Sequence, residues 1–347
     1  MGLISSTPKS FLGIDIGSTS IKIVELEKEG GQAKLNSYGF SENIKTNQFD
    51  WQSDTSFTAG IINKICEQAG MISRNAVSAL PTFSVFSSII NLSNITKKDL
   101  AQAVQWEAKK IIPLPLEEMI LDWKTIDDTA TNKAGNLRLL LTGAPRSLVK
   151  KYINIFKEAK INLLSLETET FSLVRSLLGN DKSTVMIVEI GAMSTDVSIV
   201  DKSIPMLNRS IDIGGNSITK DLAMRLNIDS KSAEQFKYDL GINAIDSKSD
   251  NMPAVIIDSV SPIINGIKYA INLFQNKYNK KTEKIILSGG SALVPNIANY
   301  LAKILDIKVI IGDPWARVSC PVDLEPLLNE IGPKMSIAIG LAMREID

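Results

Sequence analysis

The chain has 347 residues, 44% of them hydrophobic, with 38 Lys+Arg against 38 Asp+Glu and no histidine. Its length allows two lobes with separate cores, and the balanced charge offers no broad field for nucleic acid. The missing histidine excludes imidazole acid–base catalysis and His-ligated metals, and Cys66 and Cys320, in no metal-ligand spacing, read as reduced thiols.

Residues 1–10 have no apolar core and do not read as a signal peptide. No apolar run reaches the roughly 18 residues of a bilayer span, so a membrane role is expected to go through a partner or a surface helix. Residues 11–16 then form an apolar run broken by Gly13 and Asp15. Gly17, Ser18, Thr19 and Ser20 follow as a polar turn, and residues 21–26 alternate apolar with polar, including Lys22. The pattern predicts strand, tight turn, strand. Exposed backbone N–H groups at such a turn suit phosphate oxygens, Asp15 suits a hydrated metal ion, and Lys22 can reach the same anion. A plain hairpin, with Asp15 capping its turn, fits these residues as well.

Residues 34–40 read as a third strand. Residues 57–69 have helical spacing, with Phe57, Ile61, Ile62, Ile65, Cys66 and Ala69 on one face and Gly70 as the stop. Residues 77–80 read as a strand closed by Pro81. Over 83–164 the order is β-α-β-β-α-β: strands at 85–92, 119–126, 137–142 and 161–166, and helices to 112 and over 146–159. Thr96 is the expected N-cap of the first of these helices, with Asp99 as its capping-box partner. The polar stretch 127–135 is the expected turn. Together these elements predict a small α+β unit inserted in the first lobe.

A helix is expected through Leu178, opened by Glu167 and Glu169; acidic residues there also suit the helix dipole. Residues 184–200 then repeat the first pattern. Carboxylate-Ile-Gly recurs as Glu189-Ile190-Gly191, followed by Ser194, Thr195 and Asp196 and a second alternating strand. Two matching hairpins predict an internal duplication, with a polyphosphate clamped between two lobes. Residues 205–213 carry the second sheet onward, and Gly214, Gly215 and Asn216 lead into a helix over 217–226. Residues 232–241 continue the helical region, and 254–278 form a long helix, jogged before Pro262. The polar stretch 246–250 reads as a loop. A strand at 285–287 runs into Gly289, Gly290 and Ser291, where paired glycines let backbone lie flat against a base or ribose; an ordinary βα loop is the other reading. Residues 301–311 supply a helix end and a strand, and 335–344 a last helix.

The two hairpins and the Gly-Gly loop, in this order, resemble the actin-like ATPase superfamily, which includes FtsA. Residues 102–123 carry Trp106-Glu107-Ala108, Pro113-Leu114-Pro115 and Leu121-Asp122-Trp123, a combination that resembles the PilM family of type IV pilus assembly and is not carried by FtsA. Gly312-Asp313-Pro314-Trp315 resembles a turn of the same family. The resemblance implies an α/β actin-like ATPase fold, two lobes with duplicated mixed sheets and an inserted α+β, SHS2-like subdomain. The implied first lobe spans 1–82, 165–180 and 334–347, the insert 83–164, the second lobe core 181–216 and 282–333, and its small subdomain 217–281.

It further implies ATP and Mg2+ between the lobes. Asp15 and Glu189 would hold the metal through water. The turns at Gly17, Ser18 and Thr19 and at Gly191, Ser194, Thr195 and Asp196, with Lys22, would cradle phosphates. Gly214, Gly215, Asn216, Gly289, Gly290 and Ser291 would flank the nucleoside. Ser232–Gly241 resembles an FtsA-type element that places Glu234 and Lys237 near the adenosine, although a solvated helix face fits as well. The family's Val-Glu-x-Phe pattern matches Glu169 and Phe171, making Glu169 the candidate for positioning the attacking water, with Glu167 the alternative. Glu189 stands where the superfamily has Asp, which implies slow or absent turnover and a binding role.

The implied partner is the cytoplasmic tail of a PilN-like membrane protein, held between the first lobe and the insert. A pilus motor ATPase or platform protein and self-association are further implied contacts. The expected location is the cytoplasmic face of the cell membrane, through that partner. A division protein like FtsA would carry an amphipathic helix beyond the packing helix, whereas this sequence stops at Ile346-Asp347. A component like GspL would add a membrane span, and a small-molecule kinase would need a catalytic acid for which no clear candidate is present.

Overall fold

The computed structural model describes residues 10–41, 54–93, 95, 96, 98–126, 136–241 and 253–346. The turn expected at 127–135 and the loop at 246–250 lie outside them. Among the described residues no helix is long and apolar enough to cross a membrane.

The first hairpin is antiparallel, β1 (Ser10–Ile16) with β2 (Ile21–Glu29), and Asp15 pairs with Lys22 in its register. With β3 (Gln32–Phe40), β4 (Asn75–Leu80), β8 (Asn162–Thr168) and β14 (Val318–Ser319) it forms a six-stranded mixed sheet, ordered β14-β3-β2-β1-β4-β8. Helices α1 (Thr55–Gln68) and α3 (Arg146–Glu158) cover one face, burying Ile62, Cys66, Tyr152, Ile155 and Phe156. Phe57 departs from the expected apolar face and is 47% exposed, while the adjacent Thr58 and Ala59 are buried.

The second hairpin repeats the first, β9 (Val185–Ile190) with β10 (Thr195–Asp201). With β11 (Ile204–Ile211), β12 (Lys284–Ser288) and β13 (Lys308–Ile311) it forms a five-stranded sheet, ordered β11-β10-β9-β12-β13. Its core takes in α5 (Gly215–Leu226), α6 (Ser230–Leu240), α7 (Pro253–Tyr278) and α8 (Ile297–Leu305). The expected jog before Pro262 does not divide α7, which runs through that residue as one helix.

The insert is smaller than its sequence pattern suggests. A three-stranded sheet, β5 (Phe86–Ser93), β7 (Asn136–Pro145) and β6 (Met119–Thr125) in the order β5-β7-β6, packs on α2 (Leu100–Ile111). The final α-β of the expected six-element unit belongs elsewhere: β8 pairs with β4, and α3 packs its apolar face in the first-lobe core. Thr96 is not the N-cap of α2. Its hydroxyl bonds Asp99 at 2.6 Å within a turn, and the helix begins after Asp99.

Two helices join the lobes. α4 (Glu169–Leu177) and α9 (Glu325–Met343) share a buried cluster with β4, β9, β10 and β12 that includes Val77, Leu173, Ile187, Ile286, Ile337 and Leu341. α9 starts ten residues before the expected 335, since Pro333 sits inside it. Its backbone is not idle there: the Pro333 carbonyl accepts from the Gly289 N–H at 2.9 Å and the Ser288 hydroxyl at 3.1 Å. α9 crosses α4 so closely that a Cβ at Gly340 would overlap the Ser172 carbonyl. The stretch after β13, expected in the second lobe, turns back: β14 pairs with β3, and Trp315, Leu328 and Ile331 pack on the first sheet.

Candidate functional site

Both hairpin turns open into one cleft of about 210 Å³. In each, the glycine N–H bonds the carbonyl three residues on, Gly17 to Ser20 at 3.0 Å and Gly191 to Ser194 at 2.9 Å. The turns therefore share one backbone design, as a duplication requires. Asp15 enters from the first lobe and Glu189 from the second, both lining the cleft. Lys22 reaches from β2 to bond Asp15 at 2.8 Å. Burial opposes the charge on Lys22, but Asp15, with Glu189 and Glu169 behind it, holds its pKa above the ordinary lysine value.

The cleft is rich in carboxylates. Glu189 is pushed up to about 8, first by burial, then by Asp196 and Asp15, with Lys22 opposing. Burial raises Asp196 to about 6, opposed by the Ser210 hydroxyl and assisted by Asp212. Glu169 is driven well above the usual carboxylate range by burial and by the charges of Asp196, Asp15 and Glu189. Four carboxyl groups converging on one cleft strain one another unless positive charge joins them. Among the described residues no three acidic or thiol groups stand close enough to ligate a bare metal ion. Carboxylates so placed could hold a hydrated cation at one water's remove.

The other end of the cleft is built by α5, α6 and the Gly289–Ser291 loop. Lys237 is 1% exposed, and its ammonium bonds Glu234 at 2.8 Å, the Thr219 hydroxyl at 3.0 Å and the Gly215 carbonyl at 3.3 Å. Burial lowers its pKa and Glu234 counters. The ammonium also lies 4.9 Å from the Tyr238 ring centroid. Gly289 has φ +86°, a conformation that favours glycine, and a Cβ there would meet the Glu189 carboxylate at 2.7 Å.

A second, larger groove of about 610 Å³ lies between the first lobe and the insert. Leu80, Val85, Ile120, Trp123, Phe171 and Arg175 line it. Residues of β6 and β8 both line it, and each is an edge strand of its sheet. Arg175 pairs with both oxygens of Glu167 at 2.8 and 2.9 Å, and Arg344 approaches the same carboxylate at 3.4 Å.

The model of the family described as "Type IV pilus assembly protein PilM" matches residues 13–346. The chain belongs to the PilM family. A solved structure described as a PilM–PilN type IV pilus biogenesis complex aligns with a TM-score of 0.83 and 21% identity, covering 98% of this chain and 100% of that one. MreB5 of Spiroplasma citri, solved with AMPPNP, aligns with a TM-score of 0.54 and 14% identity over 96% of this chain and 94% of that one. FtsA of Borreliella burgdorferi is 28% identical over 180 residues, 46% of this chain and 42% of that protein. The architecture is thus the actin-like α/β fold of the PilM family, with mixed sheets in two lobes and an inserted subdomain.

Within this PilM-family fold, Asp15, Gly17, Ser18, Thr19, Lys22, Glu169, Glu189, Gly191, Ser194, Asp196, Gly215, Asn216, Glu234, Lys237, Gly290 and Ser291 line the cleft. Thr195, Gly214 and Gly289 do not. The buried Thr195 hydroxyl bonds the Ile213 carbonyl at 2.7 Å. Gly214 packs under the second turn, where a Cβ would meet the Gly191 carbonyl at 2.6 Å, and Gly289 packs behind Glu189. These three shape the cleft from outside its wall. Glu167, the alternative to Glu169, faces the groove instead. Pro81, Phe83, Tyr238, Lys334 and Ile337 also line the cleft, although no sequence feature assigns them to it. Tyr238 adjoins Lys237, and Lys334 adjoins Pro333; no motif marks Phe83.

Proposed function

We propose that this PilM-family chain is an ATP-binding scaffold of a type IV pilus assembly complex, holding the cytoplasmic tail of a PilN-like membrane protein. The observation that carries the nucleotide reading is that Asp15 and Glu189, from different lobes, line one cleft beside two turns of the same design. Mg2+, held through water by Asp15 and Glu189, would neutralise phosphate charge. The Ser18–Thr19 and Ser194 turns with Lys22 cradle the phosphates. Gly215, Asn216, Glu234, Lys237, Gly290 and Ser291 flank the nucleoside. The solved MreB5 with AMPPNP, of the same overall fold, supports a nucleotide here.

Glu169 is the residue proposed to orient an attacking water, and Thr82 holds its carboxylate through two hydrogen bonds of 2.7 Å. Hydrolysis is proposed to be slow, because the longer Glu189 carries its carboxylate further than an aspartate would. The tail lies in the groove between the edge strands β6 and β8, where an extended peptide can add main-chain hydrogen bonds to a sheet edge. The solved PilM–PilN complex supports a partner of this kind. That partner would bring the chain to the cytoplasmic face of the membrane.

Calorimetric titration with Mg-ATP tests the first reading. Measurable affinity is expected, lost in an Asp15→Ala, Lys22→Ala double variant; affinity unchanged in that variant refutes these residues. Pull-down by an immobilised PilN-like tail tests the second, and failure with the wild-type chain refutes it.

A further inference from the structure

Helix α3 covers the first sheet with one face and offers a different chemistry to solvent. Tyr152, Ile155 and Phe156 point inward and are buried. At about 100° per residue, Arg146, Lys150, Ile153 and Lys157 fall within about 60° of one another on the outer side. All four are exposed, Ile153 by 51%. Lys160, just past the helix end, is exposed as well. The result is a cationic stripe with one isoleucine at its centre.

An exposed lysine row flanked by carboxylates at helical spacing would be an ordinary solvated face. This row lacks them. Glu158 is turned to the flank that meets α1, where it accepts from the Thr55 and Ser56 hydroxyls at 2.8 and 2.5 Å. The Arg146 guanidinium donates to an uncharged group, the Glu117 carbonyl, at 2.8 Å. Among the described residues Lys150, Lys157 and Lys160 stand in no ion pair. Cations and anions are equal in number over the whole chain, so the stripe is a local concentration of charge. It also borders the groove: Val149, next to Lys150, lines that groove, as does Ala144 just before the helix.

We propose that the outer face of α3 is a membrane-contact surface, with Arg146, Lys150, Lys157 and Lys160 on anionic phospholipid headgroups and Ile153 entering between them. The choice of lipid over another acidic partner rests on the reading above that the groove holds the tail of a membrane protein. A tail held there brings whatever flanks the groove to the lipid. Each basic side chain near a negatively charged leaflet adds attraction, and an apolar residue among them adds burial beneath the headgroups. The face is one weak signal and the tail another, and together they hold the chain more firmly than either does.

The test is co-sedimentation of the full chain with vesicles, with no tail peptide present. Phosphatidylcholine vesicles containing about one-third phosphatidylglycerol should bind the chain at least about tenfold better than pure phosphatidylcholine, and the excess should fall as salt rises. A Lys150→Ala, Lys157→Ala variant should lose at least about fivefold of that binding with its melting temperature unchanged. A Lys303→Ala, Lys308→Ala variant makes the same charge change at exposed positions of the second lobe and should keep the binding. Ile153→Ser should weaken it about two- to threefold at every salt concentration. Equal binding to both vesicle types, an undiminished excess in the α3 variant or an equal loss in the second-lobe variant overturns the proposal. No effect of Ile153→Ser, with poly-glutamate displacing the chain, assigns the stripe to an acidic protein and overturns the lipid surface. Neutral vesicles bearing a lipid-anchored PilN-like tail read the tail separately. Recruitment to these without the anionic excess overturns the lipid face and leaves the tail reading intact; the anionic excess without recruitment overturns the tail reading and supports the lipid face.

Discussion

Asp196 stands directly opposite Glu189 in the ladder of the second hairpin, at the position where the first hairpin sets Lys22 opposite Asp15. The duplication is thus exact in geometry and opposite in charge. One hairpin neutralises its carboxylate internally. The other doubles the negative charge and leaves it for something else to balance. Like charges directly across a strand pair oppose one another, so positive charge placed at the second hairpin would relieve that half of the cleft.

Replacing one member of that acidic pair should therefore stabilise the empty protein. Asp196→Asn is expected to raise unfolding free energy by up to about 1 kcal/mol in magnesium-free buffer. The same variant should bind nucleotide with a weaker dependence on magnesium. Urea denaturation in chelator and nucleotide titrations over a magnesium series check the two halves. A loss of stability in chelator would contradict the repulsion.

The raised carboxyls also give stability a pH signature. Glu189 moves from 4.5 to about 8 and Asp196 from 3.8 to about 6 on folding. The folded chain thus holds protons that the unfolded chain releases. The resulting stabilisation is fully present below the ordinary values and is lost as pH rises through about 6 and then about 8. The melting temperature without magnesium should fall across that interval, and Glu189→Gln should flatten its upper part. Thermal melts from pH 5 to 9 measure it. Magnesium-nucleotide binding should release protons over the same range, read from titrations in buffers of different ionisation heat.

The crossing of α9 over α4 depends on Gly340. An added Cβ would overlap the Ser172 carbonyl, which is backbone and cannot swing aside. Gly340→Ala should destabilise the chain by about 1–3 kcal/mol or more. Because both helices line the interlobe core, nucleotide affinity should fall along with stability. Denaturant unfolding and Mg-ATP titration of the variant check this, and a neutral effect on both would refute the close crossing.

Ile120 lies on the open edge strand of the insert and is 39% exposed. Ile120→Glu should leave the melting temperature within about a degree or two of wild type, as exposed substitutions generally do. It should nevertheless weaken binding of a PilN-like tail peptide by roughly tenfold or more, through loss of an apolar contact and burial of a charge. Peptide titration and a thermal melt separate the two effects.

Much of the cleft is legible in the sequence because its chemistry is local. Asp15 and Gly17, like Glu189 and Gly191, sit two residues apart, so a strand and its turn fix their relation whatever the rest of the chain does. The wall supplied by Phe83, Lys334 and Ile337 has no such local pattern. Those residues reach the cleft because α9 and the 80–85 turn are carried there by long-range packing. Thr195, Gly214 and Gly289 show the converse. They occupy motif positions, but their atoms are used behind the cleft wall, against Ile213, Gly191 and Glu189.

The boundaries of the insert divide the same way. Residues 146–168 have a helix-strand pattern that local propensity reads correctly as elements. Only the sheets decide that β8 pairs with β4 and that α3 covers the first lobe. The sequence by itself determined the two hairpins, their acidic and glycine residues and the order of elements, since these depend on neighbours within a few positions. The tertiary structure alone decided which lobe each element joined and that one helical turn would face two sites. Those depend on apolar faces finding partners far along the chain, and periodicity states that a face exists without stating what will cover it.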